Sequence, residues 1–174
     1  MPLNKYAPQV TTHRRTQSAI LSGAKNLIAT VGLAKMTMIE IADSSEVSRA
    51  TLYNHYRDKD SVITALCESE MARLIAIANS APNATDALEL LSIQISTDTA
   101  LSHMRTHDCA ALTKGLAATN NPLWNNLTQV LGIITGSEVL ANLVLRWLVG
   151  QVLNPLSPQE SRLHAELLIS RAHL

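Results

Sequence analysis

Two short helix-forming segments separated by a turn, within residues 37–55, constrain the possible folds of this chain more than any other feature. The first segment opens with a capping box, Thr37-Met-Ile-Glu40, whose Thr and Glu side chains can satisfy the free amides of a helix start. The Asp-Ser-Ser run that follows favours a turn. Ser48 can then cap a second short helix that reaches about His55. Two such helices, packed on a longer preceding helix, are typical of a helix-turn-helix.

Composition and spacing predict helices for the rest of the chain as well. Hydrophobic residues make up 47% of the 174 residues, and no stretch alternates like a β-strand between turn signals. Residues 1–11 contain two prolines and no periodicity, so we expect a loose arm there. The other predicted helices cover roughly residues 12–31, 58–80, 85–103, 108–118, 122–134, 137–154 and 158–174. The expected fold is therefore all-α.

The helical pattern is broken at Ala81-Pro82-Asn83. We expect the chain to divide into two modules near this break, with the helix before it as the connector between them. The predicted N-terminal module, residues 1–60, holds the arm and a three-helix head. The predicted second module, residues 61–174, is larger, and its first helix, 61–80, connects the two. The net charge is +3 over residues 1–60 and −3 over the remainder. A basic N-terminal third fits contact with a polyanion such as DNA, although a random scatter of charges would also produce so small an excess.

The chain lacks the residues that several other classes of protein need. Cys67 and Cys109 form neither a metal-like pair nor a disulfide framework, so a reducing cytoplasm is the default location. When bound to DNA, the protein would associate with the nucleoid. Residues 1–15 lack the apolar segment of a signal peptide. The longest apolar run, residues 139–153, is too short and too polar to span a membrane. Phosphate loops, nucleophile elbows and paired carboxylates are missing, so we expect neither an enzyme nor a cofactor.

The second short helix carries the residue types that contact DNA. Its first residues, Ser48, Arg49 and Ala50, would face base edges in the major groove, where an Arg can bind guanine through two hydrogen bonds. Leu52 and Tyr56 are four residues apart and would form its inner face. The remaining predicted contacts, to bases or to phosphate oxygens, are Thr51, Tyr53, His55 and Lys59. A solvated surface helix is the alternative interpretation.

The run from residue 37 to residue 60, TMIEIADSSEVSRATLYNHYRDKD, resembles the signature of TetR-family transcriptional regulators, T-x-x-x-I-A-x-x-A-G-V-S-x-G-T-L-Y-x-H-F-x-x-K-x. The match is ungapped and, with the preceding helix, covers about residues 12–65. The rest of the chain resembles the family only in its helical layout. The matching positions are Thr37, Ile41, Ala42, Val47, Ser48, Thr51, Leu52, Tyr53, His55 and Lys59.

The resemblance implies a ligand-responsive transcriptional regulator that acts as a repressor. It implies a homodimer that binds a palindromic double-stranded DNA operator and is released by a small-molecule effector. The second module would then bind the ligand and form the dimer. By position, Thr37 would bind a phosphate at the start of the first short helix, and Asn54 would join the base-facing residues. The alternative function is a helical ligand carrier whose head contacts protein rather than DNA.

Three positions depart from the family pattern. Glu46 replaces the usual Gly of the turn, where a positive φ angle would be costly for Glu and where an acid would repel DNA. Ala50 replaces a Gly in the recognition helix, and its methyl group can meet a thymine methyl or hold the helix further out. Tyr56 replaces Phe, so its hydroxyl group needs a hydrogen-bond partner.

An apolar helix near the C-terminus predicts an interface. Residues 139–149 are apolar on nearly every side, so this helix must be buried on more than one face. One face can meet its own subunit and the other a partner, in a four-helix arrangement with the last helix. A core helix in a monomer is the alternative, and the resemblance favours the dimer. The predicted interface residues are Val139, Leu140, Leu143, Val144, Trp147, Leu163 and Leu167.

A second group of residues could bind a ligand. Met104, Trp124 and Trp147 can line a small-molecule pocket between helices, although their spacing also suits a plain core. His103 and His107 are four residues apart, which can suit a metal ion. Because no second pair of metal ligands is visible, we predict no metal site and place both histidines at the pocket.

Overall fold

The computed structural model of the protein describes residues 7–117 and 122–170, and only the backbone of residues 7–11. These residues form ten α-helices and no strand, which confirms the predicted all-α fold. None of the helices described is long and apolar enough to cross a membrane. The helices are α1 (Ala7–Thr30), α2 (Met38–Ser44), α3 (Arg49–His55), α4 (Lys59–Ser80), α5 (Ala84–Ser96), α6 (Thr99–His107), α7 (Cys109–Ala117), α8 (Pro122–Thr135), α9 (Glu138–Leu153) and α10 (Pro158–Ser170).

The chain divides into two compact units inside α4, with the first unit ending at Ser69 and the second beginning at Glu70. This division lies later in the chain than the predicted boundary after residue 60. Assigning DNA binding to the first unit, and ligand binding and dimerisation to the second, stays a prediction.

In the first unit, α1 packs against α2, and α2 packs against α3. Leu52 is fully buried and Tyr56 nearly so, which confirms the predicted inner face of α3. On α2, Ile41 and Ala42 are buried, whereas the side chain of Ile39 is 46% exposed. Residue 39 lies about 200° around the helix from residue 41, so the face that buries position 41 turns position 39 towards solvent.

The starts of the two short helices are built as predicted. The Thr37 N–H donates to Glu40 Oε2 over 2.8 Å, and the Glu40 N–H donates back to Thr37 Oγ1 over 3.3 Å. Ser48 caps α3 by accepting a hydrogen bond of 3.0 Å from the Thr51 N–H. These caps satisfy amides that have no partner inside a helix, so they define where α2 and α3 begin.

The first helix begins earlier than predicted, at Ala7 instead of residue 12. The expected loose arm over residues 1–11 is therefore wrong for residues 7–11, while residues 1–6 lie outside the described residues. Pro8 is compatible with the helix because it lies in the first turn, where backbone amides have no acceptor within the helix.

In the second unit, α5 packs against α9 and α10, and α8 packs against α9. A buried polar cluster joins three of these helices, because Ser92 Oγ lies 2.6 Å from Gln151 Oε1 and 2.7 Å from Ser161 Oγ. Buried polar groups that bond across helices fix their register. The fully buried apolar core residues of this unit are Leu88, Leu91, Leu131, Ala141, Val144 and Ala165.

The single helix predicted over residues 85–103 is wrong, because the structure has two helices there. The break lies at Thr97, and Asp98 caps the second helix by accepting a 2.9 Å hydrogen bond from the Leu101 N–H. The last helix begins as predicted, with Glu160 accepting a hydrogen bond of 2.8 Å from the Ser157 N–H. Its predicted extension over residues 171–174 lies outside the described residues.

One predicted interface residue belongs to the core instead. Val144 is 0% exposed and packs within the core of its own unit, so its expected contact with a partner subunit is wrong. Leu140 and Trp147 are partly buried against the same core. Val139, Leu143, Leu163 and Leu167 remain exposed, with Val139 82% and Leu143 53% exposed. The helix α9 therefore has one inner face and one apolar outer face.

Candidate nucleic-acid interface

The turn between α2 and α3 is held against α1 by a close approach at Gly23. A Cβ atom at Gly23 would lie 3.0 Å from both the Cβ and the backbone nitrogen of Ser45. Ser44 Oγ also donates to the Gly23 carbonyl oxygen over 3.3 Å. Sequence analysis missed this contact, because a Gly inside a helix gives no sign of which neighbour approaches it.

The turn itself contains a strained residue. Glu46 has a φ angle of 55°, in the left-handed region that favours Gly. Its N–H donates to the Asp43 carbonyl, and the next amide, of Val47, donates to the Ala42 carbonyl, at 3.2 and 3.1 Å. The turn thus needs a positive φ angle where the sequence has replaced Gly, so the strain expected at this position is present.

The outer face of α3 is exposed at Arg49, Ala50, Tyr53 and Asn54. These positions lie three or four residues apart along the helix and so form one continuous surface. Tyr53 is 55% exposed. The inner face is closed by Leu52, which leaves the polar face of α3 free to enter a groove of DNA.

Three of the predicted contact residues already have partners within the head. The Thr37 hydroxyl lies 2.8 Å from Glu40 Oε2, so a phosphate would have to compete with the Glu40 carboxylate for its proton. The Ser48 and Thr51 hydroxyls lie 2.8 Å from each other. The Thr37 and Ser48 oxygens also accept the backbone hydrogen bonds that cap the two helices, so the first role of these two hydroxyls is structural.

The ammonium group of Lys59 binds the loop after α1. Its Nζ atom donates to the Leu33 carbonyl over 3.2 Å and lies 3.5 Å from the Ala34 carbonyl. Lys59 therefore ties the start of α4 to the loop before α2. Its third N–H remains available to a phosphate, so the predicted phosphate contact and this structural contact are compatible.

His55 lies at the last turn of α3, against His13 of α1. The two ring centroids are 4.2 Å apart, with an angle of 40° between the ring planes. Burial lowers the pKa of His55, and the charge of His13 lowers it further. His13 was not among the predicted contact residues, since it lies far from the motif in sequence.

The charged residues that follow α3 are paired locally. Arg57 Nε lies 3.0 Å from Asp58 Oδ2, in a pair largely exposed to solvent. Hydrogen bonds from the Ser61 backbone amide, first of all, and from Arg57 lower the pKa of Asp58.

Tyr56 is buried, and its hydroxyl group has no hydrogen-bond partner among the described residues. The partner that the Tyr at this position would need is therefore missing.

The residues predicted to bind a ligand do not share one pocket. Trp124 lines a groove of about 350 Å³ with Leu116 and Leu145, whereas Trp147 lines a separate groove of about 600 Å³. Met104 packs against the core of the unit. The His103 and His107 rings stack on each other at 4.1 Å. No group of three or more His, Cys, Asp or Glu side chains that could hold a metal occurs in the described part of the chain.

The larger groove lies between the outer faces of α9 and α10. Trp147 Nε1 donates to His164 Nδ1 over 3.2 Å across the two helices. The apolar walls of the groove include Val139, Leu143 and Leu167, which are three of the four exposed residues of the predicted interface. The polar members are Ser137 and His164. A mostly apolar surface of this kind suits contact with another protein chain.

Part of this chain is similar to bacterial regulatory proteins. Residues 20–66 match the family model described as bacterial regulatory proteins, tetR family. A stretch of 66 residues is 35% identical to the HTH-type transcriptional repressor Rv1474c of Mycobacterium tuberculosis, covering 38% of this chain. The match spans about a third of the length of that relative, 34%.

Two solved structures superpose on most of this chain. The TetR family repressor AlkX from Dietzia sp. superposes with a TM-score of 0.63 at 16% identity, over 90% of this chain and 95% of that one. The fatty acid degradation regulator FadR from Bacillus halodurans superposes with a TM-score of 0.64 at 16% identity, over 97% of each chain. At this level of identity the likeness extends to the fold alone.

Proposed function

We propose that the chain, whose residues 20–66 match the family model of the bacterial regulatory proteins, tetR family, is a transcriptional repressor that binds a palindromic DNA operator as a homodimer and is released by a small-molecule effector. The observation that carries this proposal is the outer face of α3. It is exposed at Arg49, Ala50, Tyr53 and Asn54, while the opposite face closes the core of the head. The known members of the family are regulators rather than enzymes.

The proposed contacts fall into two kinds. Arg49 and Ala50, at the N-terminal end of α3, read base edges, and Asn54 joins them one turn later on the same exposed face. The Arg49 side chain is exposed and can turn its guanidinium group towards a guanine. Tyr53 and Lys59 bind phosphates on either side, which positions the head without specifying a sequence.

The homodimer is proposed from the outer faces of α9 and α10. Leu163 and Leu167 are both exposed on α10, and Val139 and Leu143 are exposed on α9. Water contact with so many large apolar side chains on one surface is unfavourable, and a second copy of the same surface would cover them. Two heads held in this way must sit roughly 34–36 Å apart to fill adjacent half-sites of the operator together.

The effector is proposed to bind in the second unit, in the groove lined by Trp124. This groove has apolar walls from Leu116, Leu145 and Val149, and polar groups from Asn142 and Arg146. Such a lining fits a small molecule with an apolar body and a polar or anionic end. Its binding would alter the spacing of the two heads through α4 and shift the population away from the form that binds DNA.

The test of this function is selection of binding sites from a random-sequence duplex library with the purified chain, followed by mobility shift. We expect a two-fold symmetric consensus that is bound by the dimer, and loss of the complex on titration with a metabolite library. Enrichment of no sequence above the non-specific level would contradict DNA recognition and favour a helical ligand carrier. A selected complex that no metabolite dissociates would indicate a repressor that needs no effector.

A further inference from the structure

His13 and His55 bring two imidazole rings together on the surface of the head, from two different helices. His13 lies on α1 and is exposed, whereas His55 lies at the end of α3 and is partly buried. Their ring centroids are 4.2 Å apart. His55 also lies 6.2 Å from the ring of Tyr56, which is buried beneath it. The pair is therefore formed by the fold and not by neighbours in sequence.

The two helices that carry the rings, α1 and α3, contain basic residues and no acidic one, whereas α2, which packs against α3, carries Glu40 and Asp43. On α1 the neighbours of His13 are Arg14 and Arg15, both exposed. On α3 the charged side chain is Arg49, and the first turn of α4 holds Lys59 and Asp60. The carboxylate of Asp58, between these elements, is bound by Arg57 and by the Ser61 amide. The pKa of His55 is lowered by burial and by the charge of His13, and no carboxylate among the described residues raises it.

Two imidazoles that lack an acidic partner are suited to an anion. Each neutral ring offers one N–H donor, and each protonated ring offers two donors and a positive charge. A phosphate group placed between them would accept hydrogen bonds from both rings and would cancel their mutual repulsion. Phosphate contacts of this kind position a protein on DNA.

We propose that His13 and His55 together bind one phosphate of the DNA backbone, so that DNA binding takes up protons. This inference rests on the proposed binding of an operator. It adds His13 of α1 to the contact surface, and it makes the affinity for DNA increase as the pH falls.

The direction of the pH effect follows from the two states of the pair. In the free protein, burial and repulsion between the rings keep the pKa of His55 below its ordinary value. In the complex, the phosphate charge raises the pKa of His55. Between the two values the complex holds more protons than the free protein, so lower pH favours binding. Each proton taken up increases the association constant about tenfold per pH unit within this range.

The experiment measures binding of a labelled operator duplex by fluorescence anisotropy from pH 8 to pH 5.5, at constant ionic strength and in buffers without phosphate. The variants are His13→Gln, His55→Gln and, as a matched control on α1, Arg14→Gln. We expect the wild-type affinity to rise by at least tenfold from pH 8 to pH 6, and each His variant to flatten this rise. Arg14→Gln removes a charge that does not titrate in this range, so it should lower affinity at every pH and keep the slope.

A second measurement reads the protons directly. The imidazole resonances of His13 and His55 are titrated by NMR with and without the duplex, and we expect the pKa of both rings to rise in the complex. Binding that occurs with the same pH slope in wild type and both His variants, or ring pKa values that DNA leaves unchanged, would overturn the phosphate site while leaving the regulator function intact. Absence of DNA binding at every pH would overturn both.

Discussion

Gly23 of α1 and Ser45 at the end of α2 approach so closely that a Cβ atom at position 23 would lie 3.0 Å from the Ser45 backbone nitrogen. This contact sets the distance between α1 and the helix-turn-helix. A methyl group there would have to displace backbone, which cannot move aside as the end of a long side chain can.

Gly23→Ala should therefore destabilise the protein by about 1–3 kcal/mol, in spite of the better helix propensity of Ala. The matched control is Gly115→Ala in α7, where an added Cβ meets nothing within 4 Å. That variant should stabilise the protein by roughly 0.5–1 kcal/mol. Urea unfolding of the two variants measures both effects, and equal changes in the free energy of unfolding would show that the approach at Gly23 carries no cost.

The strain at Glu46 can be separated from its charge. Glu46→Gly removes both the unfavourable φ angle of 55° and the carboxylate near DNA. Glu46→Ala removes only the carboxylate. We expect Glu46→Gly to raise the free energy of unfolding by about 1 kcal/mol over Glu46→Ala, while both variants bind DNA more tightly than wild type at low salt. Equal stability of the Gly and Ala variants would mean that the turn carries no strain.

The buried hydroxyl group of Tyr56 predicts a stabilising substitution. The hydroxyl group has no partner among the described residues, so Tyr56→Phe would remove the cost of keeping it from water. We expect a gain of about 1–2 kcal/mol in the free energy of unfolding. Tyr53→Phe is the control, because Tyr53 is exposed and its hydroxyl group can bond to water. Thermal unfolding that shows Tyr56→Phe to be less stable than wild type would mean that the hydroxyl group has a partner in solution.

The inner and outer faces of α9 predict different outcomes for neighbouring substitutions. Leu143→Asp places a charge on the outer face and should give a folded monomer. Val144→Asp places the same charge in the core and should prevent folding, because a buried unpaired charge is costly. Light scattering and circular dichroism at tens of micromolar protein distinguish these results. A wild-type chain that is monomeric at this concentration, or a Leu143→Asp variant that remains dimeric, would contradict the proposed interface.

The sequence predicted the parts of the fold that are coded locally. The caps at Thr37 and Ser48 and the inner position of Leu52 depend on residues within one or two turns of each other, so their patterns are readable without the rest of the chain. The break between α5 and α6 was missed, although Ser96, Thr97 and Asp98 are poor helix formers and Asp is a common N-cap residue.

Contacts between segments that are distant in sequence could not be predicted in the same way. A helix that is apolar on nearly every side does not reveal which face meets its own core, so Val144 was assigned to the wrong face. The pairing of His13 with His55 depends on how α1 crosses α3, which periodicity alone does not specify. The contact between Lys59 Nζ and the Leu33 carbonyl has the same origin.

The claim that α3 reads DNA bases is tested most directly by Arg49→Ala, compared with Lys59→Ala, on the selected operator and on a scrambled duplex across a salt series. Both variants lose one positive charge, so electrostatics alone would predict equal effects. We predict that Arg49→Ala loses about 1–3 kcal/mol per half-site on the operator, loses little on the scrambled duplex, and relaxes preference at one base pair. Lys59→Ala should weaken both duplexes alike and lower the salt slope by about one unit per half-site. An equal loss on both duplexes for Arg49→Ala would contradict base reading by that residue and reduce it to a phosphate contact.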